Sequence, residues 1–299
     1  MASVYEIVTE QVVRALESGE CPWRKPWNGG HRAPMNITGR EYRGINVFLL
    51  GLAGYESPYW LTYRQAIERG GHVRKGEKGR AVVLWRWLED EEKGDEFPIL
   101  RYYTVFNVAQ CEGIKAPEPP ARTFSPIEGA ERIIASLPET HARILHGIAG
   151  ASYAPAPDEV RLPSREAFRT DEEYYGTLFH ELTHSTGHES RLGRRGIADR
   201  ARFASHEYSE EELVAEMGAA FLGHVAGILP VTLENSAAYL RSWVKVLKGD
   251  SRLVVRAASA AQKAADWLLG RKPNAGEADT AAGASAPAEP VAVPASVAA

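Results

Sequence analysis

LFHELTHSTGH, at residues 178–188, carries the motif that determines how the second half of this chain is interpreted. Its His180, Glu181 and His184 form H-E-x-x-H. On a helix, the i, i+4 spacing places both imidazoles on one face, where they can hold one metal ion. Glu181 then lies beside the open coordination position and can take a proton from water. Neutral imidazole suits zinc, manganese is the alternative metal, and the favoured chemistry is hydrolysis of a polarised carbonyl.

The residues around this motif predict a buried helix. Apolar and aromatic side chains lie before the motif and, in one case, within it: Phe168, Tyr174, Tyr175, Leu178, Phe179 and Leu182. A solvent-exposed helix with scattered His and Glu is the alternative. Ionisable side chains are seldom buried without a partner or a function, so we expect a metal site on this helix.

The spacing after the motif excludes one source of the third ligand. Metzincins continue as H-E-x-x-H-x-x-G-x-x-H. Gly187 fits this pattern, but Ser190 occupies the position of the third His, and His188 comes two residues too early. The third ligand is therefore expected from another element.

Residues 209–222, SEEELVAEMGAAFL, predict that element as a helix with Ser209 and Glu212 in the positions of a capping box. A solvated acidic helix start would explain the first acidic residues, but not Glu216 among apolar neighbours. We predict Glu212 as the ligand. Glu216, one turn further on the same face, is predicted to orient an imidazole through its second nitrogen. Glu211 is the alternative ligand.

The composition is that of a globular chain with enough residues for one large domain or two ordinary ones. Of 299 residues, 44% are hydrophobic and 25% are charged, and the formal net charge is −4. Cys21 and Cys111 form no metal-binding or disulfide pattern and are expected to be free thiols. The sequence contains neither a signal-peptide pattern nor a long apolar stretch, so we expect a cytoplasmic location without a membrane partner.

The N-terminal half concentrates positive charge and aromatic rings. Between residues 22 and 87 there are twelve Lys/Arg and four Asp/Glu, together with five of the seven tryptophans. Cations neutralise a phosphate backbone while unstacked bases lie on rings, so we predict binding of single-stranded DNA. Trp85 and Trp87 are expected to be core residues. The predicted DNA-binding residues are Trp23, Arg24, Lys25, Trp27, Arg43, Arg74, Lys75, Lys78 and Arg80.

We predict an α+β fold in two domains joined by a proline-rich linker. An N-terminal α+β domain spans residues 1–115, the linker residues 116–126, and a mostly helical domain with a small sheet residues 127–270. Residues 151–163 have the proline content and alternation of an edge strand beside the motif helix. Residues 271–299 are rich in Ala, Pro and Gly and are predicted to be disordered.

Several long motifs resemble the ArdC family of antirestriction proteins, which is related to the N-terminal region of TraC-type primases. They are PWRKPW (22–27), YRGIN (42–46), WLTYRQA (60–66), VRKGEKG (73–79), YTVFNVAQ (103–110), LFHELTHSTGHESRL (178–192) and EELVAE (211–216). The resemblance implies a domain that binds single-stranded DNA, joined to a zincin-like metallopeptidase domain with a Glu ligand. It also implies protection of incoming plasmid DNA from host restriction during conjugation. Transfer of the protein to the recipient cell is compatible with that role.

Two functions fit this sequence. In the first, a metal-dependent peptidase acts on a protein substrate or on a component of a restriction system. In the second, a non-catalytic protein protects DNA by binding single strands or by blocking restriction, and its metal is structural. Glu181 favours the first, since a structural site has no need of a general base. A nuclease is disfavoured because nuclease metals are usually held by carboxylate clusters.

Overall fold

The computed structural model describes residues 3–24, 33–89, 96–117, 125–194, 197, 206–228 and 237–271, with the backbone alone at residues 85–89, 96–99, 126, 206–208 and 237. Lys25 and Trp27, most of the predicted linker and nearly all of the predicted tail lie outside these residues. The side chains of Trp85 and Trp87 also lie outside them. Helices combined with small sheets confirm the predicted α+β class.

Local sequence signals explain where several helices begin. Ser3, Thr62 and Ser125 each start a helix with a capping box, in which two backbone N–H groups of the first turn are satisfied by side chains. Within the described residues, no helix is both long and apolar enough to cross a membrane. The α-helices are α1 (Val4–Glu17), α2 (Ile45–Gly51), α3 (Tyr63–Glu68), α4 (Pro126–Ala135), α5 (Asp171–Ser185), α6 (His206–Ala226), α7 (Ala237–Gly249) and α8 (Leu253–Leu268).

The described residues of the N-terminal half form two small sheets. The strands are β1 (Met35–Asn36), β2 (Tyr59–Leu61), β3 (His72–Val73), β4 (Arg80–Glu89), β5 (Glu96–Asn107) and β6 (Cys111–Glu112). The larger sheet has the order β1-β2-β5-β4, with β1 and β2 parallel and β2 and β5 antiparallel. Strands β3 and β6 form a separate antiparallel pair. Buried aromatic and aliphatic side chains such as Trp60, Val82 and Val105 form the core beneath the larger sheet.

A three-stranded sheet lies beside the motif helix in the second half. Its strands are β7 (Arg143–Leu145), β8 (Ser152–Ala154) and β9 (Glu159–Arg161), in the order β7-β9-β8. Residues 151–163 therefore contain two antiparallel strands rather than one edge strand, and of these two only β8 lies at an edge of the sheet. Asp158 makes the turn between them possible by adopting a positive φ of 54°. Helix α5 packs against β8 and β9.

Helices from both halves pack against each other. Helix α1 contacts α7 and α8, and α2 contacts α8. Thr9 Oγ1 donates a 2.6 Å hydrogen bond to the carbonyl of Ser251, and Arg43 pairs with Asp266. Residues 1–83 and 102–273 accordingly form one compact unit, whereas Leu84–Arg101 belongs to a second unit. The division at residues 116–126 therefore stays a prediction.

Candidate metal centre

Helix α5 carries the H-E-x-x-H motif in its C-terminal turns. Thr170 caps the helix by accepting a hydrogen bond from the backbone N–H of Glu173. The acidic residues of the first turn stabilise the helix through their interaction with the positive end of its dipole. At the other end, a Cβ on Gly187 would lie only 2.8 Å from Cγ1 of Ile197 and 3.1 Å from the carbonyl oxygen of His184. Glycine therefore lets the chain leave the helix close to the motif.

Helix α6 approaches α5 closely because one residue at their contact has no side chain. A Cβ on Gly218 would lie 2.7 Å from Oγ1 of Thr183 and would overlap its methyl group. The sequence predicted this helix from its acidic start and its small residues, but not this glycine contact. The close approach brings the acidic start of α6 beside the last turns of α5.

Three side chains from α5 and α6 direct donor atoms toward one point. Nε2 of His180 and Nε2 of His184 are 3.1 Å apart, and each lies 3.6 Å from a carboxylate oxygen of Glu212. All three ligand atoms lie within 4.8 Å of one another. Two nitrogens bound at about 2.0–2.1 Å to one tetrahedral zinc ion would be roughly 3.3 Å apart. The structure thus brings together the predicted ligands in a geometry that fits a divalent metal ion.

Glu211 faces the outer nitrogen of His184 instead of the space between the donor atoms. Nδ1 of His184 lies 3.1 Å from Oε1 of Glu211, and a hydrogen bond there leaves Nε2 free to bind a metal. Burial acts to raise the pKa of Glu211, but hydrogen bonds from Arg194 and His184 outweigh it and hold that pKa below its usual value. This geometry favours Glu212 over Glu211 as the ligand.

Arg194 holds Glu211 in place, and the sequence analysis did not identify it. Its Nε and Nη2 donate to the two carboxylate oxygens at 2.8 and 2.6 Å. The same guanidinium donates to Oγ1 of Thr186 at 2.6 Å and to the carbonyl of Thr183 at 2.8 Å. A buried carboxylate beside a metal site needs a cation, and this requirement was the only sequence signal for such an arginine.

Glu181 is 8% exposed and follows His180 directly on α5. Burial raises its pKa, while the charges of His180 and His184 and a hydrogen bond from the backbone N–H of Tyr153 oppose that rise. A desolvated carboxylate with a raised pKa is a stronger proton acceptor than an exposed one. Helix α5, which carries Glu181, contacts β8 directly.

Glu216 binds an arginine of the N-terminal half. Its two oxygens accept hydrogen bonds from Nη2 and Nε of Arg24 at 2.6 and 3.3 Å. Burial acts to lower the pKa of His180, but a hydrogen bond to Glu212 and the negative charge of Glu216 raise it above its usual value. The predicted imidazole-orienting contact is instead made by Glu211, because the Glu216 carboxylate is engaged by Arg24.

Trp23 belongs to the core of the protein. It is 2% exposed, its Nε1 donates to the hydroxyl of Tyr239 at 3.2 Å, and its ring meets Trp243 edge to face at 5.9 Å. The prediction that Trp23 stacks on unpaired bases is therefore wrong, since neither ring face is free. Lys25 and Trp27 lie outside the described residues, so their predicted role stays a prediction.

Two further predicted DNA-binding cations pair with acidic side chains of the second half. Arg24 binds Glu216, and Arg43 binds Asp266 on α8. The backbone N–H of Gly44, next to Arg43, also donates to Gln262 at 3.1 Å. Both arginines lie in the basic, aromatic-rich segment that predicts phosphate binding, but their acidic partners are distant in sequence and give no local signal. The structure supports a structural role for both.

The basic turn between β3 and β4 retains exposed cations. Arg74 anchors the turn by donating to Glu77 and to the carbonyl of Ala109, both at 2.7 Å. Gln110 donates to Glu77 at 3.0 Å and to the backbone carbonyl of the turn at 2.9 Å. Arg74 is therefore partly engaged, while the remaining predicted cations of this turn are exposed: Lys75, Lys78 and Arg80.

Comparison with known proteins agrees with this architecture. Residues 128–260 match the family of zincin-like metallopeptidases, and residues 2–106 match the N-terminal domain of the anti-restriction factor ArdC. The structure is similar to the antirestriction protein ArdC of plasmid R388. The metal-free form has 40% identity and a TM-score of 0.71 over 89% of this chain and 97% of that chain. The Mn(II)-bound form has 39% identity and a TM-score of 0.73 over 93% and 99%.

The fold and the donor set therefore define a zincin-like metal-binding domain combined with an ArdC-type N-terminal region. More particularly, the chain belongs to the ArdC family of antirestriction proteins. An uncharacterised protein of Sinorhizobium fredii, y4eC, is 36% identical over 91% of this chain and 93% of its own length. DNA primases TraC of Escherichia coli are 37% identical over 89% of this chain, which spans only 27% or 20% of their length.

Proposed function

We propose that this protein is a metal-dependent peptidase that acts in antirestriction and whose N-terminal half binds single-stranded DNA. The observation that carries the proposal is the combination of three convergent donor atoms with a buried carboxylate, Glu181, in the same motif. A structural metal site would need the donors alone. The carboxylate supplies the proton acceptor that hydrolysis requires.

Each part of the site has a separate task in this proposal. When bound, the metal ion polarises the scissile carbonyl and lowers the pKa of water. Glu181 accepts the proton from the attacking water and passes it to the leaving amine. The hydrogen bond of His184 to Glu211 keeps its Nε2 directed at the ion.

Strand β8 is well suited to hold an extended peptide. It lies at the edge of its sheet and contacts α5. Strand β8 pairs antiparallel with β9 on one side, so alternate residues of β8 direct their N–H and C=O groups away from β9. A substrate strand can pair with these groups. A protein substrate, such as a restriction-system component, fits this edge.

We infer zinc as the metal because two neutral imidazoles and one carboxylate form a donor set typical of zinc peptidases. Manganese is the alternative, and a relative was solved with Mn(II). Metal analysis of protein isolated without added metal distinguishes the two ions.

For nucleic acid, we propose that the exposed cations Lys75, Lys78 and Arg80 attract the phosphate backbone of incoming single-stranded plasmid DNA in the cytoplasm. Binding of this strand during conjugation would bring the peptidase to the DNA that it protects. Cleavage of a restriction component would then take place close to that DNA.

The decisive experiment compares Glu181→Gln with wild type in a restriction-protection assay during plasmid transfer. Glu181→Gln should bind metal and DNA normally but lose peptidase turnover and protection, because only the proton acceptor is removed. Exposed Glu189 provides the matched control, Glu189→Gln. Full protection by Glu181→Gln would instead favour a non-catalytic protein that protects by binding DNA or by blocking restriction.

A further inference from the structure

Arg24 forms a partly buried ion pair with Glu216, which lies one helical turn after the predicted metal ligand Glu212. Its guanidinium donates to both oxygens of Glu216 and lies over the ring of Tyr239, 3.9 Å from the centroid. The Tyr239 hydroxyl is itself fixed by Trp23 Nε1. The Arg24 and Glu216 side chains are only 14% and 19% exposed, so solvent contributes little to holding this carboxylate. These contacts of Arg24 with Glu216 and Tyr239 fix the direction of the Glu216 carboxylate.

Glu216 is a further carboxylate on the helix that carries Glu212. It follows Glu212 by four residues on α6, so both side chains lie on the same face of that helix. Carboxylates are good ligands for divalent metal ions, and glutamate has a side chain long enough to change direction within one turn.

We propose that Arg24 is a positioning residue of the metal centre: its two-point ion pair holds Glu216 away from the ion and keeps the remaining coordination position open. This inference rests on the metal centre proposed above. Zinc sites with four protein ligands are structural, whereas hydrolytic sites keep one position for water and substrate. A Glu216 without its cation would be a partly buried carboxylate beside a metal cation, and it would turn toward that cation. Arg24 thus decides whether the centre has three protein ligands or four.

Cobalt(II) substituted for the native metal provides the test, because its visible absorption reports coordination number and ligand type. Arg24→Met should change the cobalt spectrum and tighten metal binding on the order of tenfold, or about 1.4 kcal/mol, through the added ligand. Arg24→Met combined with Glu216→Gln should restore the wild-type spectrum. Arg24→Lys retains the charge but not the two-point geometry, so its spectrum should lie between those of wild type and Arg24→Met.

Arg256→Met is the matched control. Arg256 forms a comparable two-point ion pair with Glu210 on the same helix, but its side chain is 43% exposed. Glu210 precedes Glu212 by two residues and therefore lies on a different face of that helix. This variant should leave the cobalt spectrum unchanged. A spectral change in Arg256→Met equal to that in Arg24→Met would overturn the proposal, because the effect would then arise from any loss of charge on α6.

Tyr239→Leu provides a second variant in case Arg24→Met does not fold. It removes the ring under the guanidinium without removing a charge, so it should shift the spectrum in the same direction by a smaller amount. Wild-type spectra and affinities in every folded variant would overturn the role of Arg24 while leaving the metal centre intact. Failure of the wild-type protein to bind cobalt, zinc or manganese would overturn the metal centre itself, and this inference with it.

Discussion

At the scale of single residues, Glu211 and Glu212 serve different purposes because neighbouring residues on a helix point about 100° apart. Glu212 lies 3.6 Å from both Nε2 atoms, whereas Glu211 meets the outer nitrogen of His184. We expect Glu212→Ala to lose the metal during dialysis. Glu211→Ala should retain a site weakened by roughly 10–100-fold, the usual effect of losing an outer contact. Chelator competition measures both affinities.

The adjacent Glu210 supplies the control for this pair. It forms an ion pair with Arg256 and is not part of the group of three donor residues, so Glu210→Ala should bind metal as wild type does. Full metal occupancy in Glu212→Ala would reject Glu212 as a ligand and transfer that role to another carboxylate.

Arg194 allows a residue-scale prediction about stability. Glu211 is 5% exposed, and Arg194→Met would leave its carboxylate buried without a cation. Breaking such a pair costs about 3–5 kcal/mol, which urea unfolding of the metal-free protein can measure. Arg169→Met is the control, since this arginine pairs with Glu173 at the surface and its loss should cost no more than about 1 kcal/mol. Equal losses of unfolding free energy in both variants would contradict a stabilising role for the Arg194–Glu211 ion pair.

At the scale of elements, the spacing between α5 and α6 depends on Gly218. In Gly218→Ala the new methyl group would collide with Thr183, and moving the helices apart should cost about 1–3 kcal/mol and weaken metal binding. Gly223→Ala is the control on the same helix, because its Cβ would lie 3.6 Å from the nearest atom, an ordinary contact. Calorimetry and metal titration compare the two. Unchanged metal affinity in Gly218→Ala would show that the site does not need this close approach.

The basic turn is the second element with a testable role. Lys75→Glu combined with Lys78→Glu should weaken single-strand and duplex affinity alike and flatten the salt dependence, because phosphate contacts are lost. Fluorescence anisotropy at several salt concentrations measures this. Lys245→Glu combined with Lys263→Glu changes the net charge equally at exposed positions on α7 and α8 and should have little effect. If both double variants lose affinity equally, net charge rather than the turn attracts DNA.

At the scale of the whole molecule, the sequence predicts those features that depend on local or periodic patterns. It does not predict which residues far apart in sequence contact each other. The i, i+4 spacing predicted that His180 and His184 converge, whereas the helix argument for the third ligand favoured Glu212 and left Glu211 as the alternative. Trp23 was misassigned because a tryptophan in a basic, proline-rich segment has the same sequence signal whether exposed or buried. Its partner Tyr239 lies 216 residues away. Arg194 was missed for the same reason: nothing local marks it as the cation for Glu211.

Those distant contacts predict that the two halves fold together. The buried face of α1, which includes Val8, Val12 and Leu16, packs against α7 and α8, so a fragment of residues 1–120 would expose it to water. Arg43 would also lose its partner Asp266. We therefore expect the intact chain to unfold in one cooperative transition and the fragment to show none, as measured by circular dichroism during urea titration. Residues 1–271 with Asp266→Asn should still fold but unfold at lower urea. A cooperative transition in the isolated fragment, with single-strand affinity equal to that of the intact chain, would show that the N-terminal half is an independent domain.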